Sequence, residues 1–441
     1  MAALQQYYMI GPVTGGVTAL KADNFAGEGV RFFGTRLKNL SVAKPSFEAE
    51  SAFRSRSSAH GAVLRVRCMV LETKPATEKK TKLHDLYDQQ KQSPWYDNLA
   101  RPVTSLIPFI ENGVRGVTSN PTIFAKAISS SDAYDDQFRQ LIKEGNGVED
   151  AYWGLVVKDI QDALDLFLPI YRDSDGEDGQ VSVEVSPSLA HDTQGTIDAA
   201  KWLHKAVNRE NVYIKIPATA DCVPSVKAVI GLGISVNVTL IFSLPRYDAV
   251  IEAYLDGLEE AAKNGLDLSK VTSVASFFVS RVDTLVDKKL EKIGTEEALE
   301  LRGKAANAQA ALAFKLYQEK FSGPRWEKLA AQGAKKQRLL WASTGVKNPA
   351  YPDDHYISPL IGPDTVNTMP GNAMDAFLDH GTVSRSVDAD LEGAKKVYDK
   401  VEELGVDWAG VGSLLEVEGV ASFAKSFDDL IESLVQKAAV L

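Results

Sequence analysis

The chain has 441 residues, 44% of them hydrophobic and 24% charged, with a formal net charge of -10. That length allows one large domain with extensions or two domains, and the acidic balance argues against a general nucleic-acid binder, whose phosphate-facing surface must be basic. No uninterrupted apolar run is long enough to span a bilayer, and the two cysteines, Cys68 and Cys222, have no histidine at metal-ligand spacing. A disulfide framework, a zinc site and a membrane span are therefore not expected.

The charge is uneven. Residues 1–70 hold nine Lys/Arg against four acids, whereas the rest of the chain holds 40 against 55. Ser51, Arg54, Ser55, Arg56, Ser57 and Ser58 cluster within this basic stretch, and no compact apolar core of a secretory signal is present. The composition is that of an organellar leader, most like a chloroplast transit peptide directing the chain to the plastid stroma, with Val66–Met69 as the cleavage region. A disordered basic tail that stays attached is the alternative. Cleavage after Cys68 would leave Cys222 as the one cysteine, unable to form an intrachain disulfide.

From residue 71 onward the pattern is one of alternation. A polar linker, Thr73 to Lys82, precedes a short helix at Leu83–Gln92. Strand-like runs follow at Pro94–Asp97, Val114–Ser119, Val181–Val185, Val212–Ile216, Ile234–Phe242, Val271–Phe278, Leu339–Ser343 and Tyr356–Ile361. Segments of helical spacing separate most of them, among them Ala151–Tyr171, Thr193–Val207, Tyr247–Asn264 and Glu297–Phe321. Strands alternating with helices predict βαβ units on a parallel sheet, and eight such strands predict an α/β fold of the (β/α)8 TIM-barrel type over 71–441. The tail segments Asp388–Leu404 and Trp408–Val435 read as amphipathic helices packed on the outside. No G-x-G-x-x-G follows the first strand, so an open dinucleotide-binding sheet has no support, and no cofactor is expected.

Barrel chemistry sits where strands end. In Val181-Ser182-Val183-Glu184-Val185 the valines face helices and Glu184 faces inward. Lys215 alternates with Val212, Ile214 and Ile216 in the same way, and Asn237 and Thr239 share the inward face of the fifth strand. The first strand ends at Asp97, the second at Thr118-Ser119-Asn120-Pro121, the sixth at Ser276-Phe277-Phe278 before Arg281, and the seventh at Ser343-Thr344. Each has an ordinary explanation: Asn120 as a helix cap, Glu184–Lys215 as a buried ion pair, Asn237 and Thr239 as polar filler, Arg281 as a partner of Asp283. Their coincidence at one end of consecutive strands favours a site. A free lysine is almost wholly protonated at neutral pH. Desolvation in a barrel raises the nucleophilic fraction, and neighbouring carboxylates such as Glu184 and Asp97 can shuttle the protons of imine formation.

Four stretches then resemble the transaldolases, Schiff-base sugar-phosphate enzymes: Gly116-Val117-Thr118-Ser119-Asn120-Pro121-Thr122-Ile123-Phe124, Val212-Tyr213-Ile214-Lys215-Ile216-Pro217-Ala218-Thr219, Val236–Ser243 and Ala275–Asp283. The likeness covers roughly residues 83–436. It implies that Lys215 forms an imine with the C2 carbonyl of a ketose phosphate and that Asp97 takes the C4 hydroxyl proton. It further implies that Glu184, through a water held by Thr239, handles the other proton transfers. Asn120, Asn237 and Ser276 would hold the dihydroxyacetone hydroxyls, and Arg281 the terminal phosphate. The implied reaction moves a dihydroxyacetone unit between sedoheptulose 7-phosphate and glyceraldehyde 3-phosphate, giving erythrose 4-phosphate and fructose 6-phosphate, with no metal and no cofactor. The implied partners are small sugar phosphates, with no nucleic acid or membrane, and the chain is expected as a monomer or homodimer.

One departure stands out. Many transaldolases carry a second phosphate-binding arginine just after the strand-7 serine, whereas Ser343 is followed here by Thr344-Gly345-Val346-Lys347, and a lysine is a point charge without the bidentate fork. The nearest alternative is a fructose 6-phosphate aldolase-like lyase, a group that usually has glutamine and tyrosine where this chain has Glu184 and Phe278. A barrel that has lost catalysis and kept a binding role is the other.

Overall fold

The computed structural model describes residues 80–440, so the expected leader, with Cys68 and its cleavage region, lies outside the described residues. Eight parallel strands close into one barrel in chain order. They are β1 (Gln92–Asp97), β2 (Val117–Thr118), β3 (Val181–Glu184), β4 (Val212–Pro217), β5 (Val236–Ile241), β6 (Ser273–Phe278), β7 (Arg338–Ala342) and β8 (Thr365–Met369). β1 pairs with both β2 and β8, which removes any free edge. The strands are largely buried on both faces, most of their apolar side chains toward the helices and many of their polar ones, such as Ser182, Asn237, Thr239 and Thr368, among the buried residues.

Register places the inward side chains. Glu184 on β3 pairs with Lys215 on β4, Lys215 with Asn237 on β5, and Pro217 with Thr239, so these residues share one face. Below them Trp95 fills the barrel and is wholly buried. A Cβ on Gly116 would stand 2.5 Å from Cε2 of Trp95, so glycine is the residue that fits opposite that indole. The helices after the strands start with recognisable chemistry. Asn120 caps Pro121–Ser129, its Oδ1 accepting from the Ile123 N–H at 3.0 Å, and Ser243 caps Leu244–Lys263.

Three expectations need correction. The eighth strand is not Tyr356–Ile361 but Thr365–Met369; the earlier run is a buried turn with a 3-10 segment at Ser358–Leu360. Pro359 lacks the N–H a ladder needs. The segment Glu297–Phe321 is two helices, Glu296–Glu300 and Ala305–Lys320, broken where Gly303 takes φ +69 and donates its N–H to Asp287 at 3.0 Å. The last helix, Trp408–Ala438, is more than an outer layer, because Phe423 reaches the cavity at the strand ends. Among the described residues no helix is long and apolar enough to cross a membrane.

Candidate active site

The C-terminal strand ends deliver polar groups to one mouth. Lys215 is buried, its amine 3.4 Å from Oε2 of Glu184 and donating to the Ser119 carbonyl at 3.0 Å. Next along the wall, Asn237 donates to the Ser182 hydroxyl at 3.0 Å and accepts from the Ser276 hydroxyl at 2.7 Å. Asp97 accepts from the Thr118 hydroxyl at 2.7 Å, and that hydroxyl is 2.6 Å from the one on Thr368. Two buried atoms, Glu184 Oε2 and Thr239 Oγ1, have no hydrogen-bond partner among the described residues, although the former touches the Lys215 charge. A water or a substrate group is the natural partner for such atoms. Thr239 lies within a register shift between Val238 and Ile241 of β5, where Leu240 adopts φ 61, and Ser343 adopts φ 56 just past the end of β7. A left-handed residue other than glycine is costly and marks a backbone held for a purpose.

Electrostatics follow from burial. Removal from water pushes the Glu184 carboxyl above the usual range, and the neighbouring Lys215 charge offsets only part of that. Asp97 is pushed up by the same cause, against the Thr118 hydrogen bond and the charges of Lys215, Arg281 and Lys347. Its side chain keeps some surface open to the mouth, so solvent tempers the push. Arg281 is drawn down by burial while Asp97 and Glu184 pull it up. It makes no ion pair or hydrogen bond with any described residue and instead lies over the rings of Phe278 and Phe423, at 5.1 and 5.7 Å. A cation that leaves its donors unused at a concave site is prepared for an anion.

The cavity offers about 180 Å³ to water-sized groups and opens to solvent at the strand ends. Nine of the sequence-predicted residues line it: Asp97, Asn120, Lys215, Thr239, Ser276, Phe278, Arg281, Ser343 and Lys347. Lys347 stands exposed at the rim. Glu184 and Asn237 do not line it; Glu184 borders a smaller cavity beside Lys215, and Asn237 lies behind Ser276. The cap formed by Asn120 is real, yet its residue still faces the mouth. Arg281 does not pair with Asp283, which accepts instead from the Ala306 N–H at 2.7 Å and the Tyr356 hydroxyl at 3.0 Å. Sequence reasoning placed Thr118 and Thr344 at strand ends without giving them a role and missed Thr368 and Phe423; all four line the cavity. Thr118 stands beside the Asn120 motif and was legible as an inward strand-end hydroxyl, but nothing in the sequence ties Phe423 to the mouth.

Potential metal ligands meet at one place among the described residues, Asp353, Asp354 and His380. The group is exposed, and His380 already pairs with Asp353 at 2.8 Å and Asp379 at 3.2 Å.

Fold and site together define an α/β-barrel enzyme whose polar groups converge at the C-terminal ends of its strands. Residues 94–434 match the transaldolase/fructose-6-phosphate aldolase family. The transaldolase of Thermobifida fusca is 50% identical over 352 residues, covering 78% of this chain and 95% of its own. Transaldolase 2 of Streptomyces avermitilis is 50% identical over 344 residues (77% and 92%), and the transaldolase of Mycolicibacterium smegmatis 48% over 348 (77% and 93%). The chain belongs to the transaldolase/fructose-6-phosphate aldolase family, on its transaldolase side, and is an enzyme of the transferase class.

Proposed function

We propose that this transaldolase transfers a dihydroxyacetone unit from a ketose phosphate to an aldose phosphate through an imine on Lys215. The observation that carries the reading is the buried Lys215 amine, 3.4 Å from Glu184, in the same cavity as an arginine that pairs with no acid among the described residues. The amine adds to the C2 carbonyl, and the carbinolamine loses water with Glu184 and Thr239 passing protons through a bridging water. Asp97 takes the C4 hydroxyl proton as the C3–C4 bond breaks. The first aldose phosphate leaves, and the electron pair stays on the lysine-bound three-carbon enamine. An incoming aldehyde accepts that pair at its carbonyl carbon and a proton from Asp97 at its oxygen. Reversal of the imine steps consumes water and frees the new ketose phosphate. Asn120 and Ser276 hold the three-carbon hydroxyls, Asn237 orients the Ser276 hydroxyl from behind, Arg281 holds the phosphate, and Ser343 and Lys347 flank it at the rim. Sedoheptulose 7-phosphate with glyceraldehyde 3-phosphate is the substrate pair.

Borohydride reduction in the presence of fructose 6-phosphate, followed by peptide mapping, tests this. A reduced adduct on Lys215 is expected; an adduct on another lysine, or none, rejects the mechanism. Phe278 has no hydroxyl with which to direct a water at the three-carbon intermediate, which favours transfer over release as free dihydroxyacetone. Efficient turnover without an acceptor would reassign the chain to the aldolase side.

Residues 1–70 act, in the same proposal, as a chloroplast transit peptide that delivers the enzyme to the stroma. Support comes from their basic, Ser/Arg-rich composition and from a family match that begins at residue 94. Import of the full chain into isolated chloroplasts, with N-terminal sequencing of the product, checks it; a chain left outside and uncut argues for an attached tail.

A further inference from the structure

The helix Trp408–Ala438 crosses the mouth and is docked tightly there. Its Gly412 and Gly419 allow close approach to the end of β5: a Cβ on Gly412 would lie 2.9 Å from that of Ser243, and one on Gly419 would lie 3.0 Å from a Leu240 methyl. Glu416 pairs with Arg246 at 3.1 Å, Ser426 meets Thr122 at 2.8 Å, and Phe427 packs edge-on to Tyr152. This anchoring brings Phe423, 4% exposed, over the Arg281 guanidinium, while Phe278 on β6 supplies a second ring.

We infer that Phe423 is a positioning residue for Arg281, holding its guanidinium toward the cavity so that the enzyme selects phosphorylated sugars. The inference rests on the phosphate role proposed above for Arg281. An acid partner could hold the arginine too, but it would occupy the N–H donors and cancel the charge that an anion needs. Ring faces restrain the guanidinium plane by cation–π contact and leave its edge donors free. Two rings from elements far apart in sequence make the arrangement depend on the last helix, so that helix belongs to the binding site.

Steady-state kinetics with glyceraldehyde 3-phosphate and with glyceraldehyde as acceptors, on folded protein verified by thermal melting, provide the test. Phe423→Ala is expected to raise KM for the phosphorylated acceptor about fivefold to tenfold and to weaken inhibition by inorganic phosphate in parallel. The expected changes in kcat and in KM for glyceraldehyde are small. Phe423→Tyr should restore wild-type behaviour, and Phe423→Leu, which keeps apolar bulk without a ring face, should follow the alanine variant. Where Phe423→Ala does not fold, Phe423→Leu carries the comparison. An equal rise for both acceptors, wild-type behaviour of the leucine variant, or an unchanged KM overturns the inference. Arg281→Ala separates the two levels. If it raises KM for the phosphorylated acceptor and the Phe423 variants do not, the positioning role alone is wrong. If it leaves that KM unchanged, the phosphate role falls and the positioning role with it.

Discussion

The two ends of the barrel hold buried acids under opposite terms. At the N-terminal end Asp178 is wholly buried and accepts from Ser93 at 2.8 Å, Trp95 Nε1 at 3.2 Å, Arg115 at 2.7 Å and Arg338 at 3.0 Å. Burial alone would push that carboxyl up, but the pull of Arg338 and Arg115, with the hydrogen bonds, wins and holds it below the usual range. At the C-terminal end burial wins over Lys215 and Arg281, and Glu184 and Asp97 are pushed up. The difference lies in partners, since both ends are desolvated. A saturated acid is locked as an anion and braces the fold, whereas a half-satisfied one can take and return a proton.

That contrast can be broken from either side. Lys215→Ala should give the largest effect, a loss of turnover on the order of 10⁴-fold or more with melting temperature preserved. Unfolding of that variant would instead mark Lys215–Glu184 as a structural pair like the one below. Asp178→Ala should do the reverse, costing about 3–5 kcal/mol of stability in denaturant titration because the half-buried Arg115 and Arg338 lose their counter-charge and the buried Ser93 and Trp95 lose their acceptor. Its turnover per folded molecule should stay near wild type, and a selective loss of kcat would erase the division between the ends. Arg281→Ala should raise KM for phosphorylated substrates by roughly 10- to 100-fold, the range of a charge-assisted contact. The smallest effect is a shift in pH dependence. Asp97 must be ionised to accept a proton, and its raised pKa places the acid limb of kcat/KM above the ordinary aspartate value of about 4. Activity therefore climbs as pH rises through that limb. Loss of the Arg281 cation should move the limb further up, and a limb at or below the ordinary value would show that Asp97 is not the base.

Most of this was legible in the chain because the β-strand period sorts side chains into two faces. Glu184, Lys215, Asn237 and Thr239 stand out as polar residues on otherwise apolar strands, and register turns them into neighbours. The same rule misled at β8. Thr365-Val366-Asn367-Thr368-Met369 looks polar enough for a loop, yet Gln92 donates to Thr365 at 2.9 Å, Asn367 donates to the Tyr356 carbonyl at 3.2 Å and Thr368 meets Thr118. Burial with partners is compatible with a strand, and two of those partners, Gln92 and Thr118, lie hundreds of residues away. Phe423 was illegible for a related reason. On an amphipathic helix it reads as one more apolar position, and only tertiary packing shows that its ring covers a cation rather than other hydrocarbon.

Trp95 carries a last consequence. Its indole spans the barrel between the two acid sites, donating to Asp178 below and stacking near Tyr213 at 6.1 Å between ring centres. With Gly116 yielding the space opposite, the barrel becomes a vessel stoppered at the base. Water expelled by imine formation, and protons exchanged with bulk, cannot drain through the floor, so they share the upper side of the barrel with the sugar. Sugar, water and protons therefore use the same opening at the strand ends.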